Sequence, residues 1–243
     1  DFLAENYIDR ENVFFPSMDY KYRLERYHFY LLGSRELMGI NRSLQLGLGY
    51  LSENYVFDDS LFVSGQNVPV KEKQDAIYAV FKWIDNSKVK QDVLYQQGFG
   101  YSFYVEAPFF SISKSNYARI GLENRCYLKI GKRGNLAGRM RFLWVENHTA
   151  PFAPLIQDDF KNLRGGGHCS GRGTAEFSLN IEHRQTFWDK PWLAMQFVVF
   201  TDMSSLRPPG ASLATWINNH NLKCFAGPGI RLNFKRISGF ILR

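Results

Sequence analysis

Residues 43–50 read Ser43-Leu44-Gln45-Leu46-Gly47-Leu48-Gly49-Tyr50. Leu44, Leu46, Leu48 and Tyr50 share one parity, and Gln45, Gly47 and Gly49 share the other. Successive side chains of an extended backbone point to opposite faces, so this stretch makes a strand with one apolar face. The same period of two continues on both sides. Within 98–106, Phe99, Tyr101, Phe103 and Val105 alternate with Gly98, Gly100, Ser102, Tyr104 and Glu106. Within 116–130, Ala118, Ile120, Leu122, Cys126, Leu128 and Ile130 oppose Arg119, Gly121, Glu123 and Arg125. Within 134–146, Leu136, Met140, Phe142 and Trp144 oppose Arg139 and Arg141, with Leu143 and Val145 softening the contrast. Further segments are 18–32, where parity slips near Glu25 and Arg26 as at a bulge, then 75–85, 173–187, 191–203, 225–235 and 238–243. The pattern predicts an all-β chain of about ten strands, with helical periodicity hard to find.

The links between strands alternate in length. Gly131-Lys132-Arg133, Trp188-Asp189-Lys190 and Arg236-Ile237-Ser238 are tight, whereas 51–74, 148–172 and 204–224 are long. Short links at one end and long ones at the other fit a transmembrane antiparallel β-barrel, with short periplasmic turns, long extracellular loops and apolar-out, polar-in strands. A soluble sandwich also alternates, but it buries its apolar face and needs no such asymmetry, so both architectures stay open on pattern alone.

Composition fits alternating strands: aromatics make up 16% of the residues, while mean hydropathy is only −0.30. No run approaches the length of apolar residues needed for a membrane-spanning helix. A net charge of +7 first suggests an anionic partner such as nucleic acid, but that reading needs the cations clustered on an outer surface. Instead, Arg119, Arg125, Arg139, Arg141, Arg184, Arg231, Lys235 and Arg243 fall on the polar parity, with Glu106, Glu123, Glu182 and Asp202 among them. A mixed-charge lumen accounts for the basicity, so no nucleic-acid partner is expected. Tyr50, Trp144, Trp188 and Trp192 lie near strand ends, where interfacial aromatic belts sit.

Chemistry-bearing motifs are sparse. Cys126, Cys169 and Cys224 lack zinc-site spacing, and a Cys169–Cys224 bridge stays open. His168 beside Cys169 lacks a second ligand pair, and the glycine run 165–167 lacks the Gly-Lys-Ser/Thr ending of a phosphate loop. No nucleophile, zinc-protease or paired-carboxylate pattern is present. The expectation is a non-enzymatic protein with no cofactor, no metal and no catalytic residue.

The most specific stretch is Asn162-Leu163-Arg164-Gly165-Gly166-Gly167, preceded by His148-Thr149-Ala150-Pro151-Phe152-Ala153-Pro154 and followed by Arg172-Gly173-Thr174-Ala175 and Leu179-Asn180-Ile181-Glu182-His183-Arg184. Glu182 shares a parity with Ser178, Asn180 and Arg184; Asp202 shares one with Ala194 and Gln196, though Val198 and Phe200 are apolar neighbours there. Both carboxylates therefore point to the polar side. A guanidinium taken out of water needs such partners, because its planar fork matches carboxylates in paired hydrogen bonds.

Together these residues resemble the outer membrane protein 85 family of barrels. The resemblance covers roughly 90–243 and is strongest from 150 onward, with Gly227-Pro228-Gly229-Ile230-Arg231-Leu232 and Gly239-Phe240-Ile241-Leu242-Arg243 similar to the family's penultimate strands. It implies that 148–172 is an extracellular loop folding into the lumen, with Leu163, Arg164, Gly165 and Gly166 at its tip. It also implies that Glu182 and Asp202 clamp Arg164. An aromatic is usual where this chain has Gly166, so tip packing is either lost or supplied by His168. The implied location is the bacterial outer membrane, in contact with lipopolysaccharide and phospholipid and with other outer-membrane or periplasmic proteins. The implied work is insertion of outer-membrane proteins or protein translocation; the alternative is a structural barrel subunit of a larger complex. Residues 1–243 are expected to form one barrel domain, about ten strands of the family's sixteen, with the remaining strands outside this sequence.

Overall fold

The computed structural model describes residues 2–15, 20–36, 42–57, 73–86, 89, 94–111, 118–145, 155–157, 163–166, 171–208, 211–212, 222–234 and 241–242. Its strands are β1 (Phe2–Phe15), β2 (Tyr20–Glu36), β3 (Arg42–Phe57), β4 (Lys73–Asp85), β5 (Gly98–Ser111), β6 (Arg119–Ile130), β7 (Gly134–Val145), β8 (Leu155–Gln157), β9 (Gly171–Gly173), β10 (Ala175–Asp189), β11 (Leu193–Arg207), β12 (Leu222–Phe234) and β13 (Ile241–Leu242). Among the described residues there is no helix. Hydrogen-bonded neighbours follow the order β1-β2-β3-β4-β5-β6-β7-β10-β11-β12-β13 in an 11-stranded sheet, and β8 pairs with β9 apart from it. Among the described residues β1 and β13 stand at the two ends of that order. The all-β antiparallel expectation holds, with two differences in strand inventory: β1 and the β8–β9 pair lie where no strand is expected.

The chain gathers into two compact units, one of Asp1–Arg35, Ser43–Lys82 and Tyr104–Arg119, the other of Glu36–Arg42, Trp83–Phe103 and Ile120–Arg243. In the first, β1 and β2 pair without a break from Phe2↔Gly33 to Phe15↔Tyr20. Sequence pattern misses β1 because Glu5, Asp9 and Glu11 occupy one parity and Arg10 the other, so neither face reads as apolar. In its ladder with β1, β2 runs through Glu25 and Arg26 without the expected bulge, these residues facing Arg10 and Asp9 in continuous register. The ladder shifts instead in β10, between Thr186 and Trp188.

The second unit has the clearest segregation of faces. β10 pairs with β7 from Ala175↔Trp144 to Gln185↔Gly134 and with β11 from Ala175↔Arg207 to Asp189↔Ala194; β11 pairs with β12 from Leu193↔Phe234 to Ser205↔Leu222. This register aligns Arg139, Asn180, Asp202 and Phe225 in one cross-strand row. On that polar face Glu176, Ser178, Glu182, Gln196, Asp202, Ser204 and Asn233 are buried. The opposite face carries Met140, Ile181, Phe197, Val199 and Ile230, all at least 40% exposed. Burial is thus inverted relative to a water-soluble sheet protein, where apolar surface is withdrawn from water.

Tight turns close one end of this unit. Gly131, with φ of 60°, supplies the left-handed residue between β6 and β7, and Lys190 N donates to Leu193 O at 2.9 Å between β10 and β11. The third tight link, 236–238, lies outside the described residues, as do Lys235 and Arg243.

Candidate functional site

Between β7 and β10 the chain leaves the sheet and returns beside its starting strand. Two pieces of this excursion are described, the β8–β9 pair and the turn Leu163–Gly166. In the turn, Gly166 N donates to Leu163 O at 3.0 Å. The third residue, Gly165, has φ of 83°, the conformation a type II turn requires there and a side chain resists. Leu163 is fully buried, so the turn is anchored by an apolar side chain on one side and presents Arg164 on the other.

Arg164 makes four hydrogen bonds to two carboxylates. Its backbone N–H and Nε donate to Asp202 Oδ2 at 3.1 and 2.7 Å, Nη2 donates to Asp202 Oδ1 at 2.9 Å, and Nη1 donates to Glu182 Oε2 at 2.5 Å. The Nε/Nη2 pair on both oxygens of Asp202 is the bidentate geometry that fixes orientation as well as charge. The Asp202 side chain is 1% exposed and that of Arg164 35%. Burial opposes the Arg164 charge, but hydrogen bonds and charge from Asp202 and Glu182 outweigh it and raise its pKa above the ordinary guanidinium value. The turn therefore carries a permanent cation into a site built for one.

The expected clamp residues Leu163, Arg164, Gly165, Gly166, Glu182 and Asp202 are brought together, and others join them. Glu182 Oε1 accepts from Arg184 Nε at 2.5 Å and lies 3.9 Å from Arg231 Nη1. This one carboxylate thus meets guanidiniums from the turn, its own strand and β12. The Arg164 guanidinium lies 3.9 Å from the centroid of the Phe200 ring, a cation–π contact. A side chain at Gly227, the cross-strand partner of Phe200, would sit 3.1 Å from that ring. The glycine leaves room for Phe200 to lie across the sheet. Phe225 fills the other side, 3.4 Å from where a Gly165 Cβ would be.

Aromatic rings stand beside the turn although its own residue at the position where the resemblance implies one is Gly166. Phe200 and Phe225 supply the rings from the wall, and a Cβ at Gly166 would meet Leu163 at 3.0 Å, leaving little room for a larger residue. His168 lies outside the described residues. Sequence reasoning treats Phe200 as a blemish in the parity; an apolar residue on the polar face of a strand carrying a loop-binding Asp is the signal that would have found it.

Farther along the excursion, β8 and β9 pair from Leu155↔Gly173 to Gln157↔Gly171. Gln157, 1% exposed, donates through Nε2 to Ser204 Oγ at 2.9 Å, two residues from Asp202 on the same face of β11. At the hinge Thr174 N donates to Arg207 O and Val145 N to Thr174 O, both at 2.9 Å. Arg207 Nε donates to Thr174 Oγ1 at 3.0 Å.

The remaining face is a mosaic of ion pairs and hydrogen bonds: Arg141 Nη2 pairs with Glu176 Oε1 at 2.6 Å and Arg125 Nη2 with Glu123 Oε1 at 2.5 Å, while Arg139 Nε and Nη2 donate to the neutral amide oxygen Asn180 Oδ1 at 3.0 and 2.9 Å. In the first unit Arg119 Nη1 lies 3.9 Å from Glu106 Oε2. The basic residues placed on the polar parity are largely matched with acids, Glu176 being the one not anticipated. Cys126 and Cys224 are free, exposed thiols, and Cys169 lies outside the described residues. Among the described residues no group of His, Cys, Asp and Glu is arranged to hold a metal ion.

No known sequence family matches the chain, and no curated protein does. Among solved structures the fold is similar to that of BamA from Haemophilus ducreyi lacking POTRA domains 1–3, with a TM-score of 0.63 and 15% sequence identity. The match covers 95% of this chain and 51% of that one, so the chain spans about half the length of its neighbour. At this identity the likeness shows the fold, an antiparallel sheet of the BamA barrel type.

Proposed function

We propose that this chain is wall of an outer-membrane barrel of the outer membrane protein 85 family, working in the insertion or assembly of outer-membrane proteins or in protein translocation. The observation that carries the reading is the docking of Arg164 onto Asp202 and Glu182, a loop tip pinned to the polar face of a BamA-like sheet. The fold alone would not carry it, because folds host many functions. The inverted faces support the membrane part: Met140, Ile181, Phe197, Val199 and Ile230 form an exposed apolar surface of the kind that lipid covers and water does not. Its surroundings are then lipopolysaccharide and phospholipid, with outer-membrane or periplasmic proteins as partners.

On this reading the chain does its work without bond-making chemistry. The docked turn braces β10 and β11 from the polar side, and client strands add by backbone pairing at a sheet edge. The test is reconstitution of the full-length protein in liposomes with an unfolded barrel client. Client folding should accelerate, and less so with Asp202→Ala. No acceleration by the intact protein would overturn the insertion reading in favour of a structural barrel subunit.

A further inference from the structure

The connection between β4 and β5 belongs to the tight-turn end of the second unit, because the start of β5 lies at the same end as the β6–β7 and β10–β11 turns. It is longer than either of those turns, and its described residues fold onto the polar face. Gln96 O accepts from Asn135 Nδ2 at 2.7 Å, placing the chain on β7. Leu94 O accepts from Gln196 Nε2 at 3.4 Å, placing it on β11. The second proton of the Gln196 amide serves Thr186 Oγ1 on β10, with a separation of 3.0 Å.

The span matters. From β5 to β11 the sheet order passes β6, β7 and β10, four interstrand spacings or roughly 19 Å. Leu94 to Gly98 is four residues, with a reach of about 14 Å when extended. With Gln96 held on β7 and Leu94 on β11, the segment crosses these strands over the polar face instead of following the wall strand by strand. Both anchors are deep: Gln196 is 1% exposed and Asn135 fully buried, while Leu94 itself is 6% exposed. Where the connection leaves the sheet, a side chain at Gly100 would come within 2.4 Å of Asn86 Oδ1 and 3.2 Å of Val89. The glycine makes room for the turn in which Val89 N donates to Asn86 O at 3.0 Å. Lys129 Nζ covers the Tyr95 ring at 5.3 Å from its centroid.

We infer that Leu94–Gln97 is an internal strap that lies across the polar face at the tight-turn end of the second unit, held by Asn135 and Gln196, and restricts passage of solutes along that face. The strap stands on the second unit's own contacts; its consequence for permeation rests on the membrane reading proposed above.

Two measurements test the two parts separately. In detergent-folded full-length protein with Cys126, Cys169 and Cys224 replaced by serine, a maleimide should label Leu94→Cys slowly. Adding Asn135→Ala and Gln196→Ala removes both side-chain hydrogen bonds to the strap and should speed labelling about tenfold or more. Labelling at the rate of an exposed thiol, whether or not the anchors are present, would overturn the strap. In planar bilayers the intact protein should conduct weakly. A variant in which residues 87–96 are replaced by a short Asn-Gly turn, leaving every wall residue in place, should conduct several-fold more. Equal conductance of the two would overturn the restriction. Failure of the intact protein to enter bilayers would instead count against the membrane reading, with the labelling result still deciding the strap.

Discussion

Asp202 and Glu182 both hold Arg164, yet they differ in what else they hold. Asp202 takes three of the four bonds from Arg164, whereas Glu182 also holds Arg184 and neighbours Arg231. Asp202→Asn should destabilise by about 2–3 kcal/mol, toward the low end for breaking a buried pair because Arg164 is itself part-exposed. In an Arg164→Ala background the same change should become neutral or favourable, since it removes a carboxylate left without its partner. Glu182→Gln should stay costly there, because Arg184 and Arg231 still face it. Denaturant midpoints of the three single and two double variants in detergent measure this; equal coupling of both carboxylates to Arg164 would show that the site is one undivided cluster. Gly166 gives a second contrast. Placing an aromatic there as Gly166→Phe should loosen the turn rather than strengthen it, since even a Cβ there meets Leu163 at 3.0 Å. The expected cost is about 1–3 kcal/mol of overpacking, read as faster trypsin cleavage at Arg164; slower cleavage would show that the tip has room for a ring.

At the scale of elements, the β8–β9 pair is too small to stand alone, since even a two-stranded hairpin is marginal in water. Its support comes from β11, through Gln157 on Ser204 and the backbone bond from Thr174 to Arg207. Gln157→Leu removes a buried donor that Ser204 now uses and should cost about 1–3 kcal/mol. The loss should appear as faster hydrogen exchange at 155–157 and 171–173, with β10 and β11 unchanged; loss of protection along β11 as well would mean that the loop and wall unfold as one. These contacts also explain which elements can be read from sequence. β5, β6, β7 and β10 alternate cleanly because one face is polar and the other apolar over most of their length. Leu143 and Val145 blur β7 where it passes under the excursion, and Val145 is fully buried. Val198 and Phe200 blur β11 for a related reason: each packs over a β12 glycine, Gly229 or Gly227. β8 and β9, at three residues each, are too short to show any period. The clamp was legible through the resemblance, which pairs Arg164 with Glu182 and Asp202, and parity added that both carboxylates lie on the polar side. The strap was not, since backbone carbonyls at Leu94 and Gln96 carry no trace in the side-chain pattern.

For the whole molecule the decisive property is which solvent meets the apolar face. Ile230 lies on β12 opposite Phe197, and the two are 57% and 45% exposed. If water bathed this surface, Ile230→Lys would be a surface substitution worth less than about 0.5 kcal/mol. If hydrocarbon bathes it, the same change costs about 2–4 kcal/mol near the bilayer midplane. A cation on the polar face makes the matched control. Ser178→Lys places a charge at a fully buried position two residues from Glu176 on the same face of β10; it costs stability through crowding and desolvation, but that cost should not depend on the surrounding medium. Both variants are to be folded into phospholipid vesicles and, separately, into detergent micelles, with the folded fraction read from the heat-dependent shift in gel mobility. Ile230→Lys should lower the folded fraction in vesicles far more than in micelles, and Ser178→Lys should behave alike in both. Equal tolerance of Ile230→Lys in the two media would mean that this face does not meet lipid and that the barrel wall is covered by protein instead.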